Sequence, residues 1–96
     1  MRVEYSNRTT SDLQKIAADS RAFGVAVALA VEARISSVIA QIAQNPLASP
    51  EVHDRPGVHV IPLIRYPYVI FYRVLGDRIR ILHIRHTSRR PWPGAR

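Results

Sequence analysis

The residues best equipped for chemistry in this 96-residue chain are arginines, histidines and aromatics gathered in its last third: Arg65, Tyr66, Arg73, Arg85, His86, Arg89, Arg90 and Trp92. Guanidinium forks match phosphate and carboxylate oxygens in pairs, and aromatic rings stack on exposed bases. Such a set suits an anionic partner. It could also cleave RNA, given a base for the 2′-hydroxyl, an acid for the leaving oxygen and arginines for the charge that develops on phosphorus. Arg65, His86 and Arg89 are the candidates for that second task.

Other chemistries are poorly supplied. His83 and His86 are three apart in a strand-like run and should point to opposite faces, while His53 and His59 have only Asp54 near them. No metal site and no cofactor is expected. The chain has no cysteine, no glycine-rich phosphate loop, no nucleophile elbow and no paired carboxylate motif. Not every arginine and aromatic belongs to a site. Tyr68 and Tyr72 read as core, and Arg78 and Arg80 as a solvated strand edge. Arg85 to Trp92 is harder to treat as mere surface, because only one acid lies after residue 54.

That imbalance is the strongest feature of the composition. Residues 1–54 carry five basic groups and six acidic ones, whereas residues 55–96 carry nine arginines and the single Asp77. The net charge of +7 is therefore concentrated in the second half. An ordinary surface mixes its signs; this one asks for a nucleic acid or an acidic protein segment.

The elements that would position these residues follow from periodicity. "MRVEYS" alternates as a short half-buried strand. "NRTTSDLQKIAADS" opens a helix, with Thr9 or Ser11 as cap and Leu13, Ile16 and Ala17 as its apolar stripe. Gly24 marks a tight turn, after which Val31, Ile35, Val38 and Ile42 keep helical spacing from Val25 to about Ala43. Asn45-Pro46 ends that helix. Beyond Pro56-Gly57 the pattern becomes β: "VHVIPL", then "YVIFYRVL", then "RIRILHIRH", joined by "IRYP" and by a Gly76-Asp77 hairpin. Pro62 places its strand at an edge or a bulge, and "YVIFYRVL", apolar on both alternating sets, belongs at the centre. The expected architecture is α+β: an N-terminal strand, a helix hairpin, then a three-stranded antiparallel meander with the helices packed on one face. One domain should span 1–92, with 93–96 as a C-terminal tail. The longest uncharged apolar run, Ala22 to Val31, is about half of the ~20 residues a membrane span requires. No membrane partner is expected, and the address should be cytoplasmic.

The stretches "SDLQKIA", "RPGVHVIPLIRYPYVIFYRV" and "ILHIRHTSRRPW" resemble the RelE/ParE superfamily of bacterial type II toxins, over essentially all of residues 1–92. The resemblance implies the strand–helix–helix–meander fold already read from periodicity. It also implies a toxin silenced by a cognate antitoxin, with operator DNA bound only through that antitoxin. RelE-like members cut messenger RNA within the ribosome, using basic residues on the sheet and a tyrosine or histidine near the C-terminus; ParE-like members lack that set and poison DNA gyrase. Pro62 and Val69 stand where strand basic residues would be sought, no tyrosine follows Tyr72, and the only lysine, Lys15, is on the first helix. The chain therefore falls closer to the ParE side. An endoribonuclease acting with ribosome and mRNA through Arg65, His86 and Arg89 is the alternative, and a degenerate, non-toxic basic binding module a third.

Overall fold

A computed structural model describes residues 1–88. The elements are β1 (Arg2–Tyr5), α1 (Asn7–Arg21), α2 (Val25–Gln44), β2 (Glu51–Val52), β3 (Arg55–Pro62), β4 (Tyr68–Leu75) and β5 (Arg78–His86). The expected α+β order holds. The strands form one five-stranded sheet in the order β1-β5-β4-β3-β2. β1 joins β5 in parallel, and the other neighbours are antiparallel. β2 was not expected: two residues are too few to show a period, and Glu51 joins the sheet only through its pairing with His59.

The helix hairpin covers one face. Ile16 of α1 and Val31, Ile35, Val38, Ile39 and Ile42 of α2 pack on Leu63, Ile70, Tyr72, Ile79, Ile81 and Ile84. Burying such side chains stabilises by roughly 1.5–3 kcal/mol each. β4 lies centrally, and its run Ile70-Phe71-Tyr72 is buried on both sides, as its two-sided apolar pattern requires. Pro62 closes β3, where no further strand needs its missing N–H. By length and composition α2 could cross a membrane, but its buried stripe is the core just described.

The start of α1 differs from expectation in its cap. Ser6 takes that role, its Oγ accepting from the Thr9 N–H at 3.0 Å and donating to Leu82 O at 2.8 Å. Thr9, fully buried, donates its hydroxyl to Ile81 O at 3.0 Å. β1 pairs with β5 only as far as Ile81, so the first turn of α1 satisfies the β5 carbonyls where β1 stops. The exposed edge of a buried strand is thereby closed by a helix end. At the hairpin, Gly24 adopts φ 110°, open to glycine at little cost, and caps α2. Tyr72 donates to Pro46 O at 2.6 Å and stacks on His59, whose Nδ1 is 2.8 Å from Ser49 O. These contacts tie the loop after α2 onto the sheet.

Candidate partner-binding face

The face away from the helices carries the charge. Strand register sets its rows. Glu4, Arg80, Arg73 and Val58 stand side by side across β1, β5, β4 and β3, and Arg2, Arg78 and Leu75 form the next row. Beyond a bulge at Phe71/Tyr72, His83 opposes Phe71 and Arg85 opposes Val69. Neighbouring strands are only ~4.8 Å apart, so Arg73 and Arg80 are directly opposed like charges, as are Arg2 and Arg78. Glu4 is the one carboxylate in these rows, 3.0 Å from Arg78 Nε and 3.9 Å from Arg80. Like charges placed opposite each other cost stability in an isolated chain. An anionic partner would repay them.

Phe71 and Val58, at the centre of this face, are covered, while Val60, Val69 and Leu75 are half-buried. Arg85 lies over the Phe71 ring, 5.8 Å from its centroid, and Phe71 is 5% exposed. The Arg73 guanidinium crosses Gly57, 2.9 Å from where a Cβ would stand, so any side chain at that position would displace it. Val58, beside it, is 2% exposed.

At the β5 edge a cleft of about 340 Å³ opens between the strand and α1. Asp12 anchors it. Its Oδ2 accepts from His83 Nδ1 at 2.6 Å and from the Ile84 N–H at 3.0 Å, and Oδ1 accepts from Arg8 Nε at 3.3 Å. A carboxylate only accepts, which places the His83 proton on Nδ1. Burial pushes the His83 pKa below its ordinary value, and the Arg8 and Arg85 charges push the same way against the opposing pull of Asp12. The ring is therefore neutral near pH 7. Among the described residues no group of three or more histidines, cysteines or carboxylates comes together as a metal site.

Of the residues singled out by sequence, Arg85 and His86 meet at that cleft and the others separate. Arg73 and Arg85 lie on the open face. His86 lies on the helix side, edge-on to Tyr68, its Nδ1 accepting the Ser88 N–H at 3.2 Å. Arg65 and Tyr66 occupy the β3–β4 turn, where Arg65 N–H meets Leu63 O at 2.7 Å and Tyr66 packs against the core. Arg89, Arg90, Trp92 and the tail 93–96 lie outside the described residues. Arg78 and Arg80 were read as a strand edge, but β5 is flanked by β1 and β4, and their side chains join the charged face. Their alternation with Ile79 and Ile81 signals one polar face. The meeting with Arg2 and Glu4 depends on the parallel β1–β5 pairing, which no local pattern encodes. The Asp12–His83 pair was missed for the same reason, its members being 71 residues apart.

A second surface is apolar. α1 and α2 diverge around a groove of about 940 Å³ lined by Leu13, Ala17, Val25, Ala28 and Leu29. Phe23, Val25 and Leu29 are 77, 70 and 61% exposed. Exposed apolar residues gathered in this way occur at protein, membrane and ligand-binding surfaces.

Residues 3–91 match the family model of the ParE toxin of type II toxin–antitoxin systems, parDE. Two solved structures share the fold. A chain of the chromosomal ParDE toxin–antitoxin system from P. aeruginosa is 23% identical, with a TM-score of 0.65 over 92% of this chain and 97% of that one. The isolated E. coli RelE toxin is 14% identical, with a TM-score of 0.69 over 93% and 86%. No curated protein sequence matches.

Proposed function

Since this chain belongs to the ParE family of toxins from type II toxin–antitoxin systems, we propose that it arrests growth by inhibiting DNA gyrase and that a cognate antitoxin neutralises it. The observation that carries this reading is the open sheet face, where arginines from β1, β4 and β5 stand together with Glu4 as the one carboxylate in their rows. A surface so charged favours a target that works on nucleic acid. Arg65, Tyr66, Arg73, Arg85, His86, Arg89, Arg90 and Trp92 are the residues assigned to target or antitoxin. Messenger RNA cleavage at the ribosome is less well supported, because His86 and Arg73 fall on opposite faces and Arg65 is in a turn. The cleft between β5 and α1 does gather His83 and His86 with Asp12, Arg8, Lys15 and Arg85, but Asp12 is engaged with His83 and Arg85 lies over Phe71.

The antitoxin has two surfaces to cover. An acidic segment would neutralise the arginine rows, and an apolar helix would fill the groove between α1 and α2. Leu29→Glu should then weaken the antitoxin at least tenfold without unfolding the chain, since Leu29 is exposed. Operator DNA would be reached only through the antitoxin, and the complex would act in the cytoplasm.

Inducible expression without the antitoxin tests the target. DNA-damage reporters and messenger RNA integrity are followed together. Arrest with DNA damage and intact messages is expected. Arrest with messages cut inside codons would replace gyrase by the ribosome, and no arrest would leave a basic binding module.

A further inference from the structure

We infer that the open sheet face binds the phosphate backbone of duplex DNA directly, so that the toxin's partner at this surface is the nucleic acid on which gyrase works rather than the enzyme's protein surface. This deepens the gyrase reading and rests on its assignment of the face as the working surface.

Three observations carry it. First, the cations form a two-dimensional patch. Arg2, Arg78, Arg80 and Arg73 occupy adjacent rows of three neighbouring strands, with Glu4 the one carboxylate among them. Second, among the described residues no hydrogen bond or ion pair engages the Arg2 or Arg73 side chain, so their donors are available to phosphate oxygens. Third, the face offers no large exposed apolar anchor: Val60, Val69 and Leu75 are half-buried between the arginines. Protein interfaces draw most of their energy from aromatic or aliphatic side chains seated in pockets. Here Phe71 and Val58 are already buried, with Arg85 over the one and Arg73 beside the other. What the face presents is guanidinium. A surface of that kind gains affinity by releasing counterions from a polyphosphate, and it needs no sequence. The apolar groove between the helices, by contrast, is suited to a protein.

The salt dependence follows. Four arginine–phosphate contacts give a slope of log K against log salt of about −3.6, or roughly a 150-fold loss of affinity between 50 and 200 mM salt. Losing one contact lowers the slope by about one.

The test is fluorescence anisotropy of a labelled 20-base-pair duplex of mixed sequence with the full chain. Four variants are compared: Arg73→Ala, Arg80→Ala, the charge-preserving Arg73→Lys, and Arg21→Ala as a control of equal charge on α1. Circular dichroism checks the fold of each. The expected result is a slope between about −3 and −4 for the wild type and Arg73→Lys. Arg73→Ala and Arg80→Ala should each reduce affinity five- to tenfold at 50 mM salt and flatten the slope, with Arg21→Ala within twofold of wild type. Equal losses for Arg21→Ala and Arg73→Ala would overturn the inference, since binding would then follow total charge alone. So would a poly-glutamate 20-mer that binds more tightly than DNA and loses affinity on Arg73→Ala, because the face would then be an acidic-peptide site. A chain that inhibits gyrase but binds no duplex would sink this inference and leave the gyrase reading standing. Duplex binding that maps to Arg73 and Arg80 without gyrase inhibition supports the inference and removes gyrase as the target.

Discussion

Replacing Asp12 by alanine should be among the most damaging single substitutions outside the apolar core. The carboxylate is the joint between α1 and the second half of β5: it holds His83 Nδ1 at 2.6 Å and the Ile84 N–H at 3.0 Å. Alanine removes the carboxylate acceptor from both donors in a part-buried place, and each such loss costs about 1–3 kcal/mol. The contact with Arg8 at 3.3 Å adds little, since an exposed i,i+4 pair is worth about 0.3–0.5 kcal/mol. The two donor losses, each near the low end because the site is part-buried, total about 2–3 kcal/mol and should lower Tm by roughly 10–20 °C in a domain of this size. Asp12→Asn keeps one acceptor oxygen and should cost about half as much. Thermal unfolding followed by circular dichroism, with Arg8→Ala as reference, measures all three. If Asp12→Ala shifts Tm no further than Arg8→Ala, the carboxylate is not what closes the β5 edge, and the reasoning fails.

Further expectations follow from other parts of the structure. Ile64, 83% exposed, sits at φ 67°, a conformation that costs a β-branched residue about 1–2 kcal/mol, while Arg34 Nε braces the same turn through Leu63 O at 3.0 Å. Ile64→Asn should therefore raise Tm by a few degrees, and a fall would show that the Ile64 side chain has a stabilising contact. Burial lowers the His83 pKa from 6.5, so below about pH 6.5 the unfolded chain takes up a proton that the folded chain refuses. The stability due to the neutral ring is complete above that pH, falls as the pH drops toward the folded value, and levels off beneath it. Tm measured from pH 7 to pH 5 should fall more for the wild type than for His83→Gln; parallel curves would mean the ring is not held neutral. Tyr72→Phe removes the 2.6 Å hydrogen bond to Pro46 O and should cost about 1 kcal/mol in urea unfolding, and no change would mean that bond does not tie down the loop after α2.

Much of this fold can be read from local pattern. The helix stripe at Val31, Ile35, Val38 and Ile42 and the two-sided apolar run Ile70-Phe71-Tyr72 each declare their own burial, and Gly24 and Asn45-Pro46 bound the second helix. Local pattern stops at pairing. Nothing in "RVEY" says that it lies parallel to β5, so the juxtaposition of Arg2 and Glu4 with Arg78 and Arg80 emerges only from the register. Ser6 ends the strand-like run "MRVEYS", and its role as cap emerges only where its hydroxyl bridges the Thr9 N–H and the Leu82 carbonyl 76 residues away. The charged half of the chain was plain from composition. Its division between an open face bearing Arg73 and Arg85 and a helix side bearing His86 required the bulge at Phe71/Tyr72 and the strand order.

Gyrase is the target proposed for this ParE-family chain. The most direct measurement adds the purified chain to gyrase, ATP and relaxed plasmid and follows supercoiling and cleaved DNA on a gel. Supercoiling should stop and cleaved complexes accumulate, with the Arg73→Ala and Arg80→Ala variants weakened and the effect reversed by the antitoxin. Full supercoiling activity at a toxin concentration that arrests growth in cells would contradict it.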